Sequence, residues 1–174
     1  MKETYISRKL EKTILKYLKT PEILAIVGPR QSGKTTLMRH IFEGLYKPIF
    51  LTFDDKKILN LFDRSTDEFI ELYIKPNQHI FLDEFHYAKA GGKILKYIID
   101  TVPKKKIIIS GSSSADLTIQ AIKYLVGRVF VFNLWPLDFD EFLKFKNPNL
   151  FALFNKQKKR LVQYAKAGSI IHFG

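Results

Sequence analysis

Between an apolar run, Ile23–Val27, and an amphipathic one, Leu37–Leu45, the chain reads Gly28-Pro29-Arg30-Gln31-Ser32-Gly33-Lys34-Thr35-Thr36. The spacing G-x-x-x-x-G-K-[ST] in that setting leaves few folds open, because each part has a mechanical task. The glycines let the backbone wrap until its N–H groups converge on a phosphate, and a helix beginning after Gly33 aims the positive end of its dipole at the same point. Lys34 then reads as the cation for β- and γ-phosphates, Thr35 as a hydroxyl ligand for Mg²⁺, and Thr36 as a neighbour of the α-phosphate. Arg30, inside the loop, meets either a phosphate or an acid from the second strand.

The remainder of the chain repeats the alternation that this loop demands. Five short runs rich in Ile, Val or Phe, at Ile23–Val27, Pro48–Phe53, Ile80–Leu82, Ile107–Ser110 and Val129–Leu134, are too short for independent helices and read as strands. Helical periodicity marks Leu37–Leu45, Thr66–Ile74, Lys93–Asp100, Ala115–Leu125 and Asp138–Phe145 between and after them, and Ile6–Leu18 before them. Strand, helix, strand in that order implies parallel crossovers and a sheet covered on both faces, hence an α/β class.

A second motif narrows the chemistry. Residues 80–84, IFLDE, form an apolar strand ending in two carboxylates, and an acid at the carboxyl end of a strand lands in the crevice where open α/β sheets bind ligands. Asp83 is expected to organise Mg²⁺, and Glu84 to orient and deprotonate an attacking water. An adjacent glutamate favours hydrolysis over transfer to a small acceptor, and no N-K-x-D-like string points to guanine. At the end of the next strand, KIIISGSSSADL offers Ser112, and behind it Ser110, as a hydroxyl that senses the γ-phosphate or holds the water. Ser113 or Ser114 reads as a cap for the helix beginning near Ala115. Asp54 and Asp55 read as caps of the helix after the second strand, or as acids touching Mg²⁺-bound water. His40, His79, His86 and His172 lack metal-ligand spacing, and His86 reads as a neighbour of the site.

Composition bounds what surrounds such a site. With 174 residues, 46% of them hydrophobic, the chain is long enough for one well-buried core. A formal charge of +12 suggests attraction to phosphates, nucleic acid or an anionic surface. Cysteine is absent, which excludes disulfides and thiolate metal sites within this chain. The opening MKETYISRKL carries charges where a signal peptide needs an apolar core, and no run reaches the roughly 18 residues of a membrane span. A soluble, cytoplasmic protein with no membrane partner is therefore expected.

Taken together, YISRKLEKTILKYLKTPEILAIVGPRQSGKTTLMRHI, IFLDEFHYAKAGGKILKYIID, IIISGSSS and LVGRVFVFNLWPLDFDEF resemble the predicted ATPases of archaea and bacteria in the AAA+ superfamily, over nearly all of residues 5–145. The resemblance implies a three-layer α/β/α module whose parallel five-stranded sheet has the order 5-1-4-3-2, with ATP and Mg²⁺ as cofactors. It also implies a role for Arg128, just before the fifth strand, as an arginine that reaches into a neighbouring subunit's nucleotide site, and with it a homo-oligomer. A guanidinium suits that task because it neutralises charge developing on phosphoryl oxygens.

The expected layout is an N-terminal helix over 1–20 packed on a core over 21–146, followed by a basic helical segment, 147–174, that looks like the start of a C-terminal domain cut short. No acid follows Glu141, while Lys144, Lys146, Lys156, Lys158, Lys159, Arg160 and Lys166 alternate with Phe145, Phe151, Phe154 and Tyr164. Such a helix either packs its apolar side on further chain or binds DNA or another nucleic acid. Three functions stay open on the sequence: an Mg²⁺-dependent ATPase, a nucleotide-gated switch with little hydrolysis, and a DNA-binding protein whose ATPase is auxiliary.

Overall fold

A computed structural model describes residues 5–112 and 123–168. Five strands form one sheet: β1 (Ile23–Gly28), β2 (Pro48–Thr52), β3 (His79–Asp83), β4 (Lys106–Ser112) and β5 (Val129–Asn133). All neighbours pair in parallel in the order β2-β3-β4-β1-β5, which is the expected 5-1-4-3-2 read from the other side. The central strands β1 and β4 are buried along their whole length, as a parallel sheet covered on both faces requires.

Alternation along the strands sends side chains to two layers. Ile23, Ala25, Ile80, Leu82, Ile107 and Ile109 join one buried cluster with Phe53, Phe62, Phe69 and Phe85. These come from the segment that holds α3 (Lys56–Arg64), α4 (Thr66–Phe69) and α5 (Gly91–Thr101). Phe62 is edge-on to Phe69, with ring centres 5.2 Å apart, and burying each such ring contributes about 2–3 kcal/mol. On the opposite layer, Leu37, Met38 and Ile41 of α2 (Lys34–Phe42) are buried. Phe42 meets Phe50 and Phe81 edge-on there. Ile14 of α1 (Lys9–Tyr17) is fully buried, and Tyr17 lies edge-on to Phe130 and Phe132 of β5.

Local chemistry sets the element ends. Asp55 caps α3 by accepting the Lys57 N–H at 2.8 Å, as the sequence led us to expect. The single helix expected over Thr66–Ile74 is α4 followed by a π-turn, Ile70–Ile74, in which Lys75 N–H reaches the Ile70 carbonyl. The expected helix at Ala115–Leu125 and its caps Ser113 and Ser114 fall outside the described residues for all but its last three positions, as does His172.

By its contacts the chain divides into two compact units, Arg8–Pro136 and a second made of residues 1–7 with 137–174. The sheet belongs to the first. In the second, α6 (Phe139–Lys146) starts with a reciprocal capping box between Asp138 and Glu141, and α7 spans Pro148–Gly168. Phe139 and Phe154 pack edge-on at 5.6 Å between these two helices, and Lys158 pairs with Asp140 at 3.4 Å. Among the described residues, no helix is long and apolar enough to cross a membrane.

Candidate functional site

All five strands run toward one edge of the sheet, and the loop Gly28–Gly33 leaves β1 there. Gly28 is the last residue of β1 and sits beside Ser112 in the parallel register. The loop is compact because Gly33 takes φ 89° and Gln31 φ 62°, a left-handed conformation in which Gly33 costs nothing sterically and Gln31 is strained. Gly33 is also the residue before α2, so the unpaired N–H groups of the first helical turn face the loop. Its walls and floor, Arg30, Gln31, Gly33, Lys34, Thr35, Thr36 and Glu84, line a cavity of about 650 Å³.

Lys34 is only 6% exposed, and its ammonium donates to the carbonyls of Gly28 and Pro29 at 3.0 and 2.8 Å. Burial lowers its pKa from the usual lysine value; the carboxylates of Glu84 and Asp83 work against that shift, and Arg30 adds to it. The charge is thus held inside the loop by neutral carbonyls. Ser32 is buried with its hydroxyl oxygen lacking a hydrogen-bond partner, a polar group left over inside the same loop.

Thr35 Oγ1 donates to Asp83 Oδ2 at 2.8 Å, tying the first turn of α2 to the end of β3. The other oxygen of Asp83 accepts from Ser110 Oγ, and Ser110 Oγ in turn accepts the Glu84 N–H at 3.1 Å. Ser110 therefore fixes both acids from the middle of β4, a level below Ser112. Ser112 is buried beside Gly28, the first residue of the loop. Glu84 takes the left-handed φ 55°, and its Oε2 lies 3.1 Å from His86 Nδ1 without the alignment of a hydrogen bond, a contact that becomes an ion pair when the ring is protonated.

Two features lie elsewhere. Arg128 is at the start of β5, where its carbonyl accepts the Ile23 N–H at 2.9 Å, and its guanidinium pairs with Asp100 at 2.5 Å on the surface. That is the opposite edge of the sheet from the loop, so Arg128 is not brought to the cavity of its own chain. Arg8, which carries no motif, is 8% exposed and donates to the carbonyls of Ser32 at 2.8 Å and Trp135 at 2.5 Å. It braces the back of the loop, and a side chain added at Gly33 would come within 3.3 Å of it.

The donor set suits a hard divalent ion. Thr35 and Asp83 offer oxygen, and among the described residues no group of three or more His, Asp or Glu forms a cage of its own. Mg²⁺ is commonly held this way, by one or two protein oxygens together with substrate phosphates and water.

Comparison with known proteins gives the wider setting. The family model described as AAA domain matches residues 20–143. An uncharacterized protein of Methanocaldococcus jannaschii is 31% identical over 158 residues, covering 88% of this chain; the chain spans 35% of that relative's length. A chain from the structure described as the structural basis for DNA unwinding at forked dsDNA by two coordinating Pif1 helicases superposes with a TM-score of 0.50 at 10% identity. It covers 78% of this chain and 45% of the other, a likeness of fold.

Proposed function

This chain belongs to the AAA domain family and has a P-loop NTPase fold, and from that premise we propose that it binds ATP with Mg²⁺ at the loop Gly28–Thr36 and hydrolyses it. The observation that carries this reading is the hydrogen-bonded chain from Thr35 through Asp83 and Ser110 to the backbone of Glu84, beside a cavity that holds Lys34. In it the loop backbone and Lys34 bind phosphate, Lys34 exchanging the carbonyls of Gly28 and Pro29 for phosphate oxygens. Thr35 and Asp83 hold Mg²⁺, which when bound would neutralise charge on the β- and γ-phosphates. Glu84 takes the proton of the attacking water, His86 steadies its carboxylate, and Ser112 senses the phosphate end from beside Gly28. The resting protonation of Lys34 is supported by the two carboxylates that face it.

Arg128 completes the site of a second copy, so turnover depends on self-association. A single copy keeps its arginine at the far end of β5, a five-residue strand about 16 Å long. That separation also supports a second reading, in which an isolated copy binds ATP and hydrolyses it slowly, as a nucleotide-gated switch. In the proposed layout, 1–20 packs as a helix on the ATPase core over 21–146, and 147–174 is a basic helical segment. The module couples this turnover to a partner or to nucleic acid.

Phosphate release with ATP and Mg²⁺ tests this directly, with Glu84→Gln beside the unaltered protein and nucleotide binding measured separately. Turnover is expected to fall by about 10²–10⁴-fold while binding persists, the usual weight of a general base. Equal turnover by both proteins would remove Glu84 from the chemistry.

A further inference from the structure

Because every strand is parallel, all five begin at the edge opposite the phosphate loop, and the sequence sets cations there repeatedly. Lys47 precedes β2, Lys104 and Lys105 lead into Lys106 of β4, and Arg128 precedes β5. Lys19, Thr20, Gln78, His79, Lys104 and Lys105 contribute to the lining of a hollow of about 360 Å³ at this edge. Lys47 is joined to it by its carbonyl, which accepts the Gln78 N–H at 3.0 Å.

The cations are poorly compensated. Lys105 donates to the carbonyls of Lys75 and Asn77 at 2.8 and 2.7 Å, and Lys106 to those of Thr20 and Glu22 at 2.9 and 2.6 Å. Those bonds satisfy the ammonium hydrogens but leave the charge in place. Burial lowers the pKa of both, Lys106 to about 8 with Glu22 opposing the shift, and Lys47 lowers that of Lys105 further. Of the nearby acids, Glu22 faces Lys106, Asp100 pairs with Arg128 and Glu71 with Lys75. Among the described residues no carboxylate pairs with Lys19, Lys47 or Lys104, all of them exposed. Like charges at Lys19, Lys47 and Lys104, each without a paired carboxylate, repel, and an external polyanion relieves that repulsion.

An aromatic ring adjoins the lysines. Tyr46 is 70% exposed, Lys47 Nζ sits 5.5 Å from its ring centre, and the Tyr46 carbonyl contacts His79 Nδ1 at 3.0 Å. Lysines for a phosphate backbone and an open ring for a base are the two parts of a single-strand platform. We propose that this edge binds single-stranded nucleic acid, with backbone phosphates over Lys19, Lys47, Lys104 and Lys105 and a base stacked on Tyr46. The site is separate from the phosphate loop and does not require ATP.

The test is fluorescence anisotropy of a labelled oligothymidine of about 20 nucleotides, longer than the footprint of a single binding fold, over a NaCl series. Reversing Lys19, Lys47 and Lys104 to Glu is expected to raise Kd by at least about tenfold and to flatten the plot of log K against log salt by about 2, three contacts at about 0.7 each. The same reversal at Lys156, Lys159 and Arg160 of α7 changes net charge equally and is expected to leave Kd within about twofold. Tyr46→Ala is expected to weaken the oligothymidine by about 5- to 150-fold and a duplex of the same length hardly at all. Lys34→Ala should leave binding intact, which separates this site from the nucleotide reading. Each variant is checked by its thermal transition, and Lys→Gln at the same three positions gives the readout if the Glu triple does not fold. No salt-sensitive binding by the unaltered protein, equal losses in the two charge-reversed triples, or a duplex bound as tightly with Tyr46→Ala silent would each overturn the proposal.

Discussion

Ser110 and Ser112 are two residues apart on β4, share a face of the strand and were hard to rank from the sequence. The sequence favours Ser112, since it stands nearer the strand end where ligands bind; Ser110 joins Asp83 and the Glu84 backbone by hydrogen bonds. Removing the Ser110 hydroxyl leaves an Asp83 oxygen and the Glu84 N–H short of a buried partner, and losing one such charged contact costs about 1.5–3 kcal/mol. Ser110→Ala is therefore expected to lower ATP turnover by about 10- to 150-fold with ATP affinity changed less than about threefold, a kcat effect read in steady-state kinetics. An equal rise in KM with kcat untouched would make the residue merely structural. Arg8 shows the limit of reading residues one at a time. In SRKLEK it looks like one more exposed cation, and only the approach of Ser32 and Trp135 from distant segments buries its guanidinium.

At the scale of elements, the loop and its flanks were legible because their signals are local. Apolar runs, glycine spacing and capping acids depend on neighbours a few residues away, and β1, the loop, α2 and the Asp55 cap follow from them. What makes Gly28 obligatory is not local. A Cβ there would lie 2.1 Å from the Leu134 carbonyl oxygen, backbone that cannot rotate aside, because the chain leaving β5 crosses the end of β1 and donates the Leu134 N–H to the Val27 carbonyl. Gly28→Ala is expected to cost at least about 2 kcal/mol in urea unfolding. Gly44→Ala serves as the comparison, since its nearest new contact is 3.8 Å and it should shift stability by less than about 0.5 kcal/mol. The π-turn at Ile70–Ile74 was equally hidden, since its apolar spacing is that of an ordinary helix and the extra residue shows only in the Lys75 N–H bond to the Ile70 carbonyl.

At the scale of the molecule, parallel pairing separates two edges that the linear sequence intermixes. Gly28, Asp83 and Ser112 end strands on one edge, while Lys47, Lys104 and Arg128 precede them on the other. The proposed use of Arg128 follows from that separation and has a direct check. Lys34→Ala retains Arg128 but loses the phosphate lysine; Arg128→Ala retains the loop but loses the donated guanidinium. Each alone is expected to be nearly inactive, and mixing them should restore phosphate release above the sum of the two, because one copy then supplies to the other what it lacks. Failure of the mixture to recover activity would confine Arg128 to its surface pair with Asp100.

The sequence by itself determined the class, the strand positions, the phosphate loop and the acids at the end of β3, because alternation, glycine spacing and strand length are written in residues close together. Strand order was implied there only through family resemblance and is now seen in the pairing. Only the tertiary structure decided that Ser110 holds Asp83, that Arg8 braces the loop, that Gly28 has no room for a side chain and that cations from four segments meet at one edge. Those contacts join residues 24 to 127 positions apart, and such pairs are fixed by how helices and strands pack, which no short window of sequence encodes.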